Sequence, residues 1–305
     1  MIAGIETGGT KVLCALAEPA DPGAVVRAVR IDTTTPAETL GRVRAFLAEH
    51  AAGGLEAVGL AAFGPVEVDR RSPRYGTVGA TPKPGWRGTD LLAGLGLRGT
   101  PAAVVTDVTG AAVGEHRHGA GRGVRDLAYV TVGTGVGAGF LVDGRPLSDR
   151  AHPEAGHLLV RRHPDDPYPG GCPFHGDCLE GLAAGPAVAA RWGRPAWDLG
   201  PDRARAVELG AWYVAQLLAA VALTVAPERI VLGGGVARTS GLLEAVRPRL
   251  AQLVAGALGE HPCMDPGSGY VVPPGLGEDS GVRGALALAQ DLVRGAGAPA
   301  RTTDA

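Results

Sequence analysis

Two stretches of this chain carry the same three-part pattern of apolar run, glycine–threonine turn and second apolar run. The first is Met1–Glu6, Thr7-Gly8-Gly9-Thr10 and Val12–Ala17; the second is Leu127–Val132, Gly133-Thr134-Gly135 and Ala138–Val142. Short apolar runs joined by such turns read as paired strands. Further strands are expected at Val25–Ile31, Leu55–Ala62, Ala102–Thr106 and Arg229–Leu232. Helical spacing marks Thr35–Ala51 (capped by Thr35 ahead of Pro36), Thr89–Leu95, 107–119, 179–192, 203–226, 239–257 and Gly281–Arg294. Strands and helices mix throughout, so the class is α/β. A pattern that occurs near residue 1 and again near residue 127 in a chain of 305 residues predicts two lobes. The N-terminal lobe is expected at 1–115 and the C-terminal lobe at 116–292. The last helix can pack back on the first lobe, and 293–305 is expected to be a disordered tail.

The turns themselves point to phosphate. Gly4-Ile5-Glu6-Thr7-Gly8-Gly9-Thr10-Lys11 nearly spells a P-loop, but Thr10-Lys11 reverses the last pair, and a strand follows where a P-loop needs a helix. Glycines let a backbone approach phosphate closely, and successive N–H groups form an anion nest. The plain alternative is an ordinary hairpin. Gly133-x-Gly135-x-x-Ala138 meets a relaxed dinucleotide fingerprint, yet that fingerprint must open a helix, and here Gly139-Phe140-Leu141-Val142 continues a strand. A nicotinamide or flavin site is therefore not expected. A third cluster, Gly233-Gly234-Gly235, follows the strand Arg229–Leu232 and either seats a flat ligand or makes a tight strand-to-helix turn.

Asp107 stands at a strand end just before a helix, where open α/β sheets place ligands. There it can accept a hydroxyl proton or simply cap the helix. Cys172-x2-His175-x2-Cys178 supplies three metal ligands in an irregular loop, 161–178, with too few apolar residues to order itself. A tetrahedral zinc site needs a fourth ligand, with His157, His163 and His152 as candidates. The stretch His152-Pro153-Glu154-Ala155-Gly156-His157 and Glu180 carry side chains suited to hydrogen-bonding a polyol. The alternative is a solvated acidic loop.

Composition removes several classes. A net charge of −2 gives no basic surface for nucleic acid or a membrane. Lysine occurs only at positions 11 and 83, both inside motifs. The start lacks the basic and apolar regions of a secretion signal, and no stretch approaches the roughly 18 apolar residues of a membrane span. Of the four cysteines, Cys172 and Cys178 are clustered and Cys14 and Cys263 stand alone, a poor pattern for a disulfide framework. Cytoplasm is the expected location.

Together these segments resemble the ROK family of sugar kinases, and within it the bacterial fructokinases, over about residues 2–292. The resemblance rests on Gly4–Lys11, Phe63-Gly64-Pro65, Ser72-Pro73-Arg74-Tyr75-Gly76, Thr81-Pro82-Lys83-Pro84-Gly85-Trp86 and Thr106-Asp107-Val108. It continues through Tyr129–Gly139, His152–His157, the longest match Val160–Gly181, and Pro227–Gly235. The loop with His between two Cys points to the fructokinase branch. The resemblance implies a two-lobed actin/hexokinase-like (ribonuclease H-like) fold with a zinc-bound loop, and ATP and sugar in the cleft. It implies Asp107 as the base, and Glu154, His157, Glu180, Gly64, Pro65 and Thr106 at the sugar. It implies Gly8, Gly9, Thr10, Lys11, Gly133, Thr134, Gly135, Gly233, Gly234 and Gly235 at ATP with Mg2+, and structural Zn2+ on His157, Cys172, His175 and Cys178. The implied reaction moves the γ-phosphoryl group of ATP to the 6-hydroxyl of D-fructose, and a homodimer is expected. Many relatives carry Asn where Thr106 and Thr109 stand here, which favours fructose over glucose. A kinase for mannose, glucose or allose, or a non-catalytic sugar sensor, are the alternatives. Related transcription repressors carry an N-terminal helix-turn-helix segment, which is not expected here with the first turn beginning at residue 4.

Overall fold

In the computed structural model, residues 1–51, 53–81 and 83–295 are described, and the expected tail lies outside them beyond residue 295. In chain order the strands are β1 (Ile2–Thr7), β2 (Lys11–Glu18), β3 (Asp21–Asp32), β4 (Ala57–Ala62), β5 (Ala102–Thr106), β6 (Leu127–Val132), β7 (Val136–Val142), β8 (Arg145–Pro146), β9 (Arg229–Gly233) and β10 (Val271–Val272). The α-helices are α1 (Pro36–His50), α2 (Leu91–Gly94), α3 (Asp107–His118), α4 (Leu179–Ala183), α5 (Gly185–Trp192), α6 (Arg203–Thr224), α7 (Leu242–Val254) and α8 (Ser280–Val293).

The chain divides into two compact units. One holds Met1–His118, Ser148–His152 and the segment from Glu278 onward; the other holds Gly119–Leu147 and Pro153–Gly277. Helix α8 packs on the sheet of the first unit, so that unit is not a single run of chain.

The first unit's sheet runs β3-β2-β1-β4-β5. β1 is antiparallel to β2 and parallel to β4, which is parallel to β5. Strand alternation divides its side chains between two faces. On one, Ala3, Ile5, Val58 and Leu60 pack with Leu40, Val43 and Leu47 of α1 and with Trp86. Helix α1 starts where its cap predicts: Pro36 takes the first helical position and the Thr35 hydroxyl accepts the Glu38 N–H. On the other face, α8 approaches so closely that main chain meets main chain. A Cβ on Gly59 would lie 1.8 Å from the Ala285 carbonyl oxygen, one on Gly284 1.7 Å from that of Gly110, and one on Gly114 2.0 Å from that of Ser280. Only glycine permits such contact.

Glu6 also faces α8. Its carboxylate packs on Gly281, where a Cβ would lie 2.4 Å from Cδ, and accepts the Val282 N–H at 3.1 Å. Burial, reinforced by the charge of Asp107, pushes its pKa up to about 7.

The second unit repeats the scheme. Its sheet runs β10-β9-β6-β7-β8, with β6 antiparallel to β7 and parallel to β9. Strand for strand, β6, β7, β8, β9 and β10 correspond to β1, β2, β3, β4 and β5. Tyr213, Leu217 and Leu218 of α6 pack there with Leu242, Val246 and Leu250 of α7. α6 is long and apolar enough to cross a membrane by length and composition, contrary to the sequence expectation. Its apolarity is that of a core helix, with ten residues buried.

The helix expected over 179–192 breaks at Ala184, which is extended. Pro186 has no N–H to donate to the Leu182 carbonyl, so a continuous helix would leave that oxygen without a partner. Arg191 Nη2 donates to it instead, at 3.0 Å.

Two outcomes follow. Gly284→Ala is expected to lower stability by about 2 kcal/mol despite alanine's better helix propensity, because overpacking costs about 1–3 kcal/mol; a higher melting temperature would contradict the main-chain contact. Folded Glu6 keeps its proton to about pH 7, whereas a glutamate in the unfolded chain loses it near 4.5, so between these values the folded state binds more protons and stability falls as pH rises. Relative to Glu6→Gln, the native protein should lose about 3 kcal/mol across that window and no more above it. Parallel denaturation curves at each pH for the two proteins would refute the assignment.

Candidate functional site

In the first unit the functional candidates collect at one end of the sheet. Thr7 pairs with Ala62 and Ala62 with Thr106 in parallel register, so Gly8, Phe63 and Asp107 leave three neighbouring strands together. This is the carboxyl edge where open α/β sheets bind ligands. The turn closes with Gly8 N–H donating to the Lys11 carbonyl at 2.8 Å. Its other carbonyls are tied back. Thr33 Oγ1 donates to Gly8 O at 2.8 Å and Thr33 N–H to Thr10 O at 2.9 Å, while Lys83 Nζ donates to Gly9 O and, at 3.2 Å, to Thr33 O. Among the described residues, the N–H groups of Gly9 and Thr10 donate to no protein acceptor, and both residues are exposed. Tied carbonyls beside free N–H groups make an anion nest. Lys11 pairs with Glu278. The sequence reading places neither Thr33 nor Lys83 at the site; the scarcity of lysine was the signal for Lys83.

Asp107 is the first residue of α3, and it is not the cap. The Thr106 hydroxyl accepts the Thr109 N–H at 3.3 Å and donates to Thr109 Oγ1 at 2.8 Å. Asp107 Oδ1 accepts its neighbour Val108 N–H at 2.9 Å. Gly64 and Pro65 are half-buried and joined by a cis peptide bond.

In the second unit, His157, Cys172, His175 and Cys178 converge, each offering one ligand atom, all within 4.8 Å of one another. Both sulfurs lie 3.6 Å from His157 Nδ1, and Cys172 Sγ lies 3.9 Å from His175 Nδ1. Ligands about 2.0–2.3 Å from one tetrahedral ion stand about 3.3–3.8 Å apart, so the donor set fits zinc in chemistry, and the two sulfur–His157 distances already match that spacing. Of the other candidate histidines, His163 Nε2 faces Glu208 at 3.6 Å, and His152 is not one of the converging residues. The loop is also less dependent on metal than its composition implies. Buried Asp166 accepts both Arg191 Nε at 3.1 Å and Nη2 at 3.0 Å, plus the Tyr213 hydroxyl at 2.6 Å. A satisfied buried ion pair of this kind orders a segment that apolar contacts cannot.

The second turn lies beside the third glycine cluster. A Cβ on Gly133 would meet Gly235 N at 3.5 Å, and Val236 and Ala237 donate their N–H groups to Val132 O at 2.9 and 3.1 Å. Gly234 has a φ of 97° and leaves no room for a side chain, a Cβ there falling 2.4 Å from Val132 O. Glu180 Oε2 accepts the Val136 N–H at 2.9 Å, so this residue touches the turn as well as following the metal ligands. Glu154 is exposed, and its carbonyl accepts the His157 N–H at 3.0 Å.

The chain is similar to known proteins along nearly its full length. It is 41% identical to a fructokinase from Zymomonas mobilis over 93% of this chain and 95% of that one. It is 38% identical to a fructokinase from Pediococcus pentosaceus over 97% of this chain and all of that one. Its fold matches a ROK family glucokinase from Streptomyces griseus, solved in complex with glucose and AMPPNP, with a TM-score of 0.73 at 26% identity, covering 95% and 99% of the two chains. The ROK family pattern matches residues 2–292, and the chain belongs to that family.

Proposed function

We infer that the chain is a fructokinase, an ATP-dependent enzyme that phosphorylates D-fructose at its 6-hydroxyl. The observation that carries this is full-length similarity to fructokinases. The geometry supports it with a nest of free N–H groups in the first unit, a glycine turn in the second, and a carboxylate at the carboxyl edge of a sheet.

The proposed chemistry is a direct transfer. Asp107 accepts the proton of the sugar hydroxyl as its oxygen forms a bond to the γ-phosphorus. The bond from that phosphorus to the bridging oxygen breaks, and ADP leaves. Gly9, Thr10, Thr134 and Gly135 bind phosphate oxygens through N–H and hydroxyl groups, Gly8 and Gly133 close the two turns at the ATP site, and Lys11 adds positive charge. Mg2+ bound with ATP neutralises phosphate charge. Gly233, Gly234 and Gly235 give the nucleotide a surface without side chains. Glu154, His157, Glu180, Thr106, Gly64 and Pro65 form the proposed sugar contacts. Zinc held by His157, Cys172, His175 and Cys178 has a structural role, fixing His157 and the segments carrying Glu154 and Glu180. The cytoplasm, where ATP is available, is the proposed location, and a homodimer the proposed assembly.

Coupled detection of ADP with a panel of fructose, mannose and glucose tests the activity; equal or better turnover of glucose would displace fructose as substrate. Asp107→Asn should lower kcat by about 10²–10⁴-fold while fructose affinity changes little, and near-normal turnover would remove Asp107 as the base. Cys178→Ser should abolish zinc binding, measured by elemental analysis, and lower the melting temperature. A metal-free variant that melts and turns over like the native protein would make the cluster incidental.

A further inference from the structure

The second glycine–threonine turn is gripped on three sides by the segments that carry and follow the metal ligands. Gly156, next to His157, packs so tightly on the turn that a Cβ would fall 2.1 Å from the Val136 carbonyl oxygen. Glu180, two residues after Cys178, accepts the Val136 N–H at 2.9 Å. A Cβ on Gly135 would fall 2.7 Å from that same carboxylate oxygen, Oε2. Gly185, at the start of α5, donates its N–H to the Gly133 carbonyl at 2.7 Å.

A turn with glycine at 133 and 135 has much backbone freedom and few side chains of its own to restrict it. Its shape is therefore set by what holds it from outside. Of the three grips, the one through Glu180 is the charge-assisted hydrogen bond, the stronger kind. Within the turn itself, Gly133 N–H is spent on the Gly135 carbonyl at 2.9 Å. Val136 N–H is spent on Glu180. Among the described residues, the N–H groups of Thr134 and Gly135 donate to no protein acceptor, and Thr134 is exposed. The turn thus has two N–H groups committed to its own fixation and two left for an anion.

We propose that Glu180 is a positioning residue for the nucleotide: its carboxylate holds the Gly133–Val136 backbone in the shape that presents the Thr134 and Gly135 N–H groups to a phosphate of ATP. This role is additional to the sugar contact, and it rests on the reading that this turn takes the nucleotide. A carboxylate repels phosphate directly, so Glu180 favours nucleotide binding only through the geometry it imposes. Replacement by glutamine keeps that geometry, because the amide oxygen still accepts the Val136 N–H.

The test is calorimetric titration of AMPPNP with Mg2+, without sugar, into the native protein, Glu180→Ala and Glu180→Gln, with zinc content and melting measured for each. Glu180→Ala should bind the nucleotide about tenfold more weakly while retaining its metal. Glu180→Gln should stay within about threefold of the native protein. Native-like nucleotide affinity in Glu180→Ala overturns the proposal and leaves the nucleotide reading of the turn intact. Failure of the native protein to bind AMPPNP overturns both. If Glu180→Ala loses its metal or its cooperative melt, Glu180→Asp, whose shorter side chain draws the carboxylate back from the Val136 N–H, decides: weakened binding supports the role, and native affinity overturns it.

Discussion

The parallel register of β1, β4 and β5 is the constraint on which the first unit's candidate chemistry depends. Thr7, Ala62 and Thr106 stand side by side because the ladder pairs them. The segments that leave these strands are about 99 residues apart along the chain from the first to the third, yet each emerges beside the β4 segment between them, at the usual strand spacing of about 4.8 Å. One edge then supplies a nest of N–H donors, a glycine–proline turn and a carboxylate. The second unit uses the same topology to set Gly133 and the Gly233–Gly235 cluster next to each other, since β6 and β9 are its equivalent parallel pair.

Both sheets need dense support for this to hold. In the first unit it comes from contact between backbones, with Gly59, Gly110, Gly114 and Gly284 removing the side chains that would keep α3, α8 and the sheet apart. A buried polar residue is kept within that packing because it is satisfied: Glu115 accepts a hydrogen bond from Ser280 at 2.6 Å. In the second unit, support for the irregular 161–178 loop is divided. The donor cluster fixes one part, and Asp166, Arg191 and Tyr213 fix another without any metal. Arg191 also holds the carbonyl freed by the break between α4 and α5. The break is thus a joint between the metal-ligand segment and the helical core, and it lies beside the glycine turn.

Much of this was legible because the signals are local. Thr35-Pro36 marks the start of α1, and the strand after each glycine turn separates these turns from helix-opening nucleotide motifs. Other features were not, because they depend on partners distant in sequence. Asp107 has the residue type of a helix cap, but the cap is made by Thr106 with Thr109, so the two readings separate only once the helix phase is known. His152, His157 and His163 are equivalent as fourth ligands by spacing, and only the family resemblance singles out His157; folding puts it within reach of the sulfurs, while His163 is turned to Glu208. Lys83 is distinctive by scarcity alone, and its hold on the Gly9 carbonyl spans 74 positions.

The sequence by itself determined the α/β class, the duplicated strand–turn–strand units, the three Cys/His ligands of the loop and the family resemblance. These are written in residue periodicity, glycine placement and short spacings, all of which act over a few neighbouring residues. Tertiary structure alone decided how closely α8 packs on the first unit's sheet, that the helical run 179–192 is two helices, and that Glu180 reaches the second glycine turn. Each of these turns on close approach between segments far apart in the chain, where a missing Cβ or a single carboxylate oxygen sets the outcome, and no local pattern records that distance.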